Sequence, residues 1–192
     1  MPDALLTAQD REKLAELIRT RSFRSGEFTL ASGRTSTRYF DLKATMMHPF
    51  GAAAAARGML DLMRKLDCTH VTGLEMGAVP LIGAMAAMSD VAGSPITTSF
   101  VRKAKKGHGA ESKIDGFAQG ESLDGLSVLA IDDVATSGGS VLQAAQAVRD
   151  AGGTVKHAAV LVDRQEGGEA LLAEHGIALH CIFTADEIAG AG

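Results

Sequence analysis

Tryptophan is absent, tyrosine occurs once, cysteine twice and proline four times among 192 residues. Each shortage excludes something. Aromatic residues make up 4% of the chain and the formal net charge is −4, so the basic field and stacking surface of a general nucleic-acid binder are missing. Cys68 and Cys181 lie 113 positions apart and form no CxxC pair, the pattern of free thiols in a reducing compartment rather than of a disulfide framework. Met1 to Leu6 has no basic region followed by an apolar run, so no secretory signal is expected. The longest apolar stretch, Met76–Ser89, has 14 residues and contains a proline and two glycines. A membrane-spanning helix needs about 20, so this stretch is expected to be buried core, and the protein is expected to be soluble, cytoplasmic and free of membrane.

What is present is ordinary globular material: 46% hydrophobic and 22% charged residues, enough for one domain, 1–192. Residues 7–21 read as a helix capped by Thr7, with Leu14, Leu17 and Ile18 on one face. Glu27–Leu30 and Tyr39–Leu42 read as short strands around a Ser32-Gly33-Arg34 turn. A helix over 50–66, a strand Thr69–Gly73, a helix Val79–Met88 with Pro80 in its first turn and a strand Ile96–Val101 follow. Then come a strand Leu126–Ile131, a helix Ser140–Ala151 ended by Gly152 and Gly153, a strand Thr154–Val162, a short helix Glu169–His175 and a strand Ile177–Thr184. Continuous apolar strands alternating with helices predict an α/β fold with a mainly parallel central sheet covered on both faces. Residues 1–45 are expected to form a small N-terminal hood on the core of 46–192. No repeat or low-complexity segment occurs. The aperiodic stretch 102–118 is long for an idle connection in a compact domain.

The most informative run is VLAIDDVATSGGS, Val128 to Ser140. An apolar strand leads into two adjacent carboxylates, Asp132 and Asp133, then a loop of small hydroxyl and glycine residues, then a helix. Ligands of parallel α/β sheets bind at the carboxyl ends of strands. Glycines let the backbone approach closely, and the amides of Thr136 to Ser140 with the following helix N-terminus suit a phosphate. The carboxylates would repel that phosphate but suit ribose hydroxyls or a magnesium ion shared with the ligand. Neither GxxxxGK[ST] nor a GxGxxG after a strand is present. The run resembles the signature of the type I phosphoribosyltransferases, in which an apolar strand, a double acid and a Thr/Ser/Gly loop hold the 5-phosphate of phosphoribosyl pyrophosphate (PRPP). By that resemblance Asp132, Asp133, Val134, Ala135, Thr136, Ser137, Gly138, Gly139 and Ser140 line the PRPP site, and the fold is the type I phosphoribosyltransferase fold.

A second run, RKAKKGHG from Arg102 to Gly109, places four cations within five residues of an acidic chain. Such a reversal favours an anionic ligand, and preorganised cations stabilise charge developing on a leaving pyrophosphate. Its spacing resembles the catalytic loop of orotate phosphoribosyltransferases, which implies that Arg102, Lys103, Lys106 and His108 bind PRPP, partly in the neighbouring subunit of a homodimer. Lys106 or His108 would donate a proton to pyrophosphate; the sequence does not choose between them.

Three further runs extend the likeness. FTLASGRTSTRYFDLK, Phe28 to Lys43, resembles the N-terminal segment of the same family, implying that Tyr39 and Phe40 lie against the pyrimidine together with Thr136. Asp163-Arg164-Gln165-Glu166 follows a strand, placing Arg164 at a carboxyl strand end. A guanidinium recognises a carboxylate bidentately, and orotate carries one where uracil and the purines do not. GLEMGAVP, Gly73 to Pro80, resembles the turn beneath the pyrophosphate, bringing in Met76 and Gly77.

Two departures stand out. Many relatives carry lysines where this chain has Ala31 and Gly77, which leaves more of the pyrophosphate charge to the basic run and to Mg²⁺ held mainly through PRPP and water. Taken together the resemblance implies an enzyme that joins orotate and PRPP into orotidine 5′-monophosphate in pyrimidine biosynthesis, with Asp132, Lys106 and His108 as its catalytic residues. A phosphoribosyltransferase for another base, or a PRPP-sensing regulator on the same fold, are the competing expectations. His48, His70, His157, His175 and His180 show no metal-ligand spacing, so no protein-bound transition metal is expected.

Overall fold

A computed structural model describes residues 4–29, 35–103 and 113–190. Helix α1 (Ala8–Arg21) begins at Thr7, whose Oγ1 accepts the Asp10 amide at 3.1 Å. Strands β1 (Phe23–Thr29) and β2 (Thr35–Phe40) pair antiparallel and form the hood; the Ser32-Gly33-Arg34 turn lies outside the described residues. A short α2 (Lys43–Met46), which periodicity did not reveal, leads to α3 (Pro49–Lys65), β3 (His70–Gly73) and α4 (Val79–Val91). The small residues of α3, with Ala54, Ala55 and Ala56 fully buried, let α3 lie close against its neighbours. Beyond come β4 (Thr97–Thr98), β5 (Phe100–Val101), β6 (Ile114–Asp115), β7 (Ser127–Ala135), α5 (Gly139–Asp150), β8 (Thr154–Asp163), α6 (Gly168–Glu174), β9 (Ala178–Thr184) and α7 (Ala185–Gly190).

The five-stranded parallel sheet has the order β4-β3-β7-β8-β9. Alternation along β7 serves both faces: Leu129 and Ile131 pack with α1, α3 and α4, while Val128 and Ala130 pack with α5 and α6. Burying each of Val128, Leu129 and Ile131 contributes about 1.5–3 kcal/mol. The apolar stretch Met76–Ser89 supplies α4, whose Leu81, Ile82 and Met85 are buried, and Met59 and Met63 of α3 are core as well. Among the described residues no helix is long and apolar enough to cross a membrane. Cys68 and Cys181 are unbonded to each other.

Several elements differ from the sequence expectation. The hood strands run Phe23–Thr29 and Thr35–Phe40 rather than Glu27–Leu30 and Tyr39–Leu42, and β6 and α7 have no counterpart in the sequence reading. The strand read as Leu126–Ile131 continues through the acid pair to Ala135, because Asp132, Val134 and Ala135 remain paired with Val160, Val162 and Asp163. The strand read as Ile96–Val101 divides at Ser99. Its first part joins the main sheet, and its second part turns to pair antiparallel with β6.

The division is fixed by a buried polar cluster. The His70 ring bonds Thr97 Oγ1 at 2.9 Å and Ser99 Oγ at 2.8 Å, Ser99 Oγ reaches Thr72 Oγ1 at 3.0 Å, and Phe117 stacks on the imidazole. With both ring nitrogens satisfied by hydroxyls and no solvent contact, burial lowers the His70 pKa to about 4. The unfolded chain therefore takes up a proton near pH 6.5 that the folded chain refuses until about pH 4. Stability contributed by neutral His70 is present above pH 6.5 and is lost as pH falls toward 4. Urea titrations across this window should show that slope, and a His70→Gln variant should flatten it; an unchanged slope would assign it to other groups.

Candidate active site

The sheet order places the carboxyl ends of β3, β7 and β8 side by side, and the segments that begin at Gly73, Asp132 and Asp163 leave the sheet there. Asp132 and Asp133 occupy the end of β7. Asp132 is only 7% exposed and its Oδ1 accepts the Asp133 amide at 2.9 Å, while Asp133 Oδ1 accepts the Val134 amide at 2.9 Å. Burial, and then the neighbouring Asp133 charge, hold the Asp132 carboxyl well above the ordinary carboxylate range.

Past the strand, Thr136 to Gly138 turn into α5. Gly138 has φ +78°, a left-handed conformation in which side chains are strained, and a β-carbon there would lie 3.0 Å from the Gly168 carbonyl oxygen. Glycine thus lets the loop fold tightly against the start of α6. Asp132, Val134, Thr136, Ser137, Gly138, Gly139, Ser140 and Val141 line a small polar cleft of about 80 Å³ at the α5 N-terminus. Ala135 faces the other way: its side chain is core, and its carbonyl accepts the Arg164 amide at 2.9 Å.

The turn after β3 closes the site from below. Its Glu75–Met76 peptide is cis. A β-carbon on Gly77 would sit 2.8 Å from Asp132 Oδ1 and 2.8 Å from Asp133 Oδ1, so only glycine brings this backbone against both acids. Met76 projects outward, 64% exposed.

On the β8 side, Arg164 is 8% exposed. Its Nη2 donates to Glu166 Oε1 at 2.6 Å and to the Arg38 carbonyl of β2 at 3.0 Å. This one guanidinium therefore ties the hood to the core, at the end of β8 next to the end of β7. Tyr39 follows Arg38, is exposed, and packs its ring 5.5 Å from Phe28. The Phe40 ring is buried against Phe23 at 5.1 Å; it builds the hood, and only its backbone is left to face a ligand.

The roots of the basic run are also placed. Arg102 pairs with Asp115 of β6 at 3.0 Å, its amide donates to the Lys113 carbonyl at 2.8 Å, and the Lys103 charge acts on Asp132. Lys106 and His108 lie outside the described residues.

A phosphoribosyl transferase domain family matches residues 50–182. The chain is 45% identical over 177 residues to the orotate phosphoribosyltransferase of Rhodopseudomonas palustris strain BisB18, covering 92% of this chain and 95% of the relative. It is 40% identical over 182 residues to that of Methanopyrus kandleri, covering 94% and 93%. The chain belongs to the orotate phosphoribosyltransferase family. Among solved structures, Mycobacterium tuberculosis orotate phosphoribosyltransferase in complex with inorganic phosphate superimposes with a TM-score of 0.79 at 33% identity, covering 95% of this chain and 99% of that one. The same enzyme in complex with PRPP gives 0.76 at 32%, covering 94% and 99%.

In this member of the orotate phosphoribosyltransferases, two charged groups at the site have no role in the sequence reading. Lys43, the last residue of the Phe28 to Lys43 run, pairs with Asp41 at 2.7 Å. Its pKa is raised, first by that hydrogen bond, with the Asp133 charge and Tyr39 adding to it. Glu75 accepts the Lys103 amide at 2.8 Å. The position of Lys43 three residues after Phe40 was the available signal for the first; nothing local announces the second.

Proposed function

We propose that the chain transfers the phosphoribosyl group of PRPP to orotate, giving orotidine 5′-monophosphate and pyrophosphate. The observation that carries this reading is a buried arginine, Arg164, at the end of β8, beside the end of β7 where the acid pair leads into a glycine-lined cleft at a helix N-terminus. The arginine suits the carboxylate that sets orotate apart from other bases, the acids suit a ribose diol, and the cleft suits a 5-phosphate.

In this reading the amides from Thr136 to Ser140 hold the 5-phosphate, and Asp132 and Asp133 accept hydrogen bonds from the ribose hydroxyls. Orotate N1 attacks the anomeric carbon as the bond to pyrophosphate breaks, with inversion. Asp132 stabilises the positive charge that grows on the ribose, and its low-dielectric setting strengthens that effect. Arg164 orients orotate, with Tyr39, the Phe40 backbone and Thr136 around the ring. Arg102, Lys103, Lys106 and His108 stabilise the departing pyrophosphate, and Lys106 or His108 protonates it.

Magnesium fits the donor set in a limited way. Asp132 and Asp133 are hard oxygen donors, but among the described residues no group of three or more His, Cys, Asp or Glu side chains converges on one point. The ion would be held chiefly by PRPP oxygens and water, with the two aspartates beside it. When bound it supplies charge neutralisation for the diphosphate. A cytoplasmic homodimer sharing its basic segments is part of the same proposal.

Mixing the purified protein with PRPP, Mg²⁺ and orotate should yield orotidine 5′-monophosphate and pyrophosphate in equal amounts by mass spectrometry. PRPP binding with no nucleotide formed would favour a sensor over an enzyme.

A further inference from the structure

The turn that runs under Asp132 and Asp133 carries an anion of its own. A carboxylate beside a diphosphate is unfavourable unless a fixed partner engages it. Glu75 is engaged. Its Oε1 accepts the Lys103 amide at 2.8 Å, its own amide donates to the Val101 carbonyl at 2.8 Å, and the preceding Leu74 bridges Val101 in parallel. Three successive contacts thus join the β3–α4 turn to the strand from which the basic run departs. The next position offers no substitute. Any side chain at Gly77 would enter the space of both Asp132 Oδ1 and Asp133 Oδ1, so this turn cannot carry a cation at that place and the positive charge has to come from another segment. Burial and the Asp133 charge raise the Asp132 pKa, and the Lys103 charge works against them.

We propose that Glu75 is a positioning residue for diphosphate binding: by accepting the Lys103 amide it fixes the root of the basic run against the Gly77 turn and so sets where Lys103 leaves the strand. The proposal deepens the reading of the site as a PRPP site and rests on it. Glu75 does not touch the substrate; it acts through Lys103. The bond is charge-assisted, which makes it stronger than a neutral one, and it is exposed.

The test compares Glu75→Ala, Glu75→Gln, Lys103→Ala and the double variant Glu75→Ala with Lys103→Ala. PRPP·Mg²⁺ is titrated calorimetrically, and KM is measured for both substrates. Glu75→Ala should weaken PRPP binding about tenfold while leaving the orotate KM within about twofold of the wild-type value. Glu75→Gln keeps an oxygen acceptor and should restore most of the affinity. The double variant should bind PRPP no more weakly than Lys103→Ala alone, because both changes remove one interaction. Wild-type PRPP affinity in Glu75→Ala would overturn the proposal. So would a Gln variant as weak as the Ala variant, or fully additive losses in the double variant. A wild-type protein that binds no PRPP would overturn the underlying reading instead. Glu75 is partly exposed, and melting curves of the four variants verify that each is folded.

Discussion

Replacing Asp132 with asparagine is expected to raise the melting temperature at neutral pH while lowering kcat/KM by about 100-fold or more. The two effects share a cause. Asp132 is buried beside Asp133, and its folded pKa stands well above the ordinary aspartate value of 3.8. The folded protein therefore holds a proton that the unfolded chain releases, and stability falls as pH rises from about 4 through the raised folded pKa. Asparagine has nearly the same shape and no charge to bury, so it removes that penalty. For a chain of this size each kcal/mol recovered raises Tm by roughly 2–4 °C. The gain should be present at pH 7.5 and vanish below about pH 3, where the aspartate is protonated in both states. Activity moves the other way, because a neutral amide cannot stabilise positive charge on the ribose. By linkage, PRPP·Mg²⁺ binding to the wild type should release a proton and tighten as pH rises, since bound hydroxyl donors and the cation favour the carboxylate. A variant with unchanged Tm at pH 7.5 would remove the electrostatic explanation; one with wild-type turnover would remove Asp132 from the chemistry.

Arg164→Ala should raise the orotate KM by about 100-fold, the effect of removing one partner of a buried charge-assisted contact, with the PRPP KM changed by less than about threefold. The selectivity follows from position. Arg164 stands at the end of β8 beside the hood, whereas the glycine loop and acid pair stand on β7. The substitution also releases Glu166 and the Arg38 carbonyl, both bonded to Nη2, so Arg164→Lys is the control. Lysine keeps the charge and loses the planar fork; it should recover folding stability but leave the orotate KM about tenfold raised. Equal rises in both KM values would show that Arg164 supports the hood rather than reading the base.

The acid pair, the glycine loop and Arg164 were legible because each is contiguous in sequence and each sits where an apolar strand stops. Alternation along β7 fixed which residues face which layer, and only its end was misjudged: carboxylates read as a strand terminus, yet Asp132 is still laddered to Val160. Contacts across distant positions left no such trace. The split at Ser99 depends on His70, 29 positions earlier; the mounting of the hood depends on Arg164 reaching Arg38 across 126 positions; Glu75 meets Lys103 across 28. The sequence also presents Tyr39 and Phe40 as an equivalent pair, and only packing against Phe23 separates the buried ring from the exposed one.

The most direct measurement is the ratio of kcat/KM for orotate to that for uracil at saturating PRPP and Mg²⁺. The two bases differ by the carboxylate, and a site built to engage a charged group rejects the analogue that lacks it. The ratio should be about 10³ or more. A ratio near one, or turnover of uracil or a purine in preference to orotate, would contradict the assignment of Arg164 and with it the identity of the base.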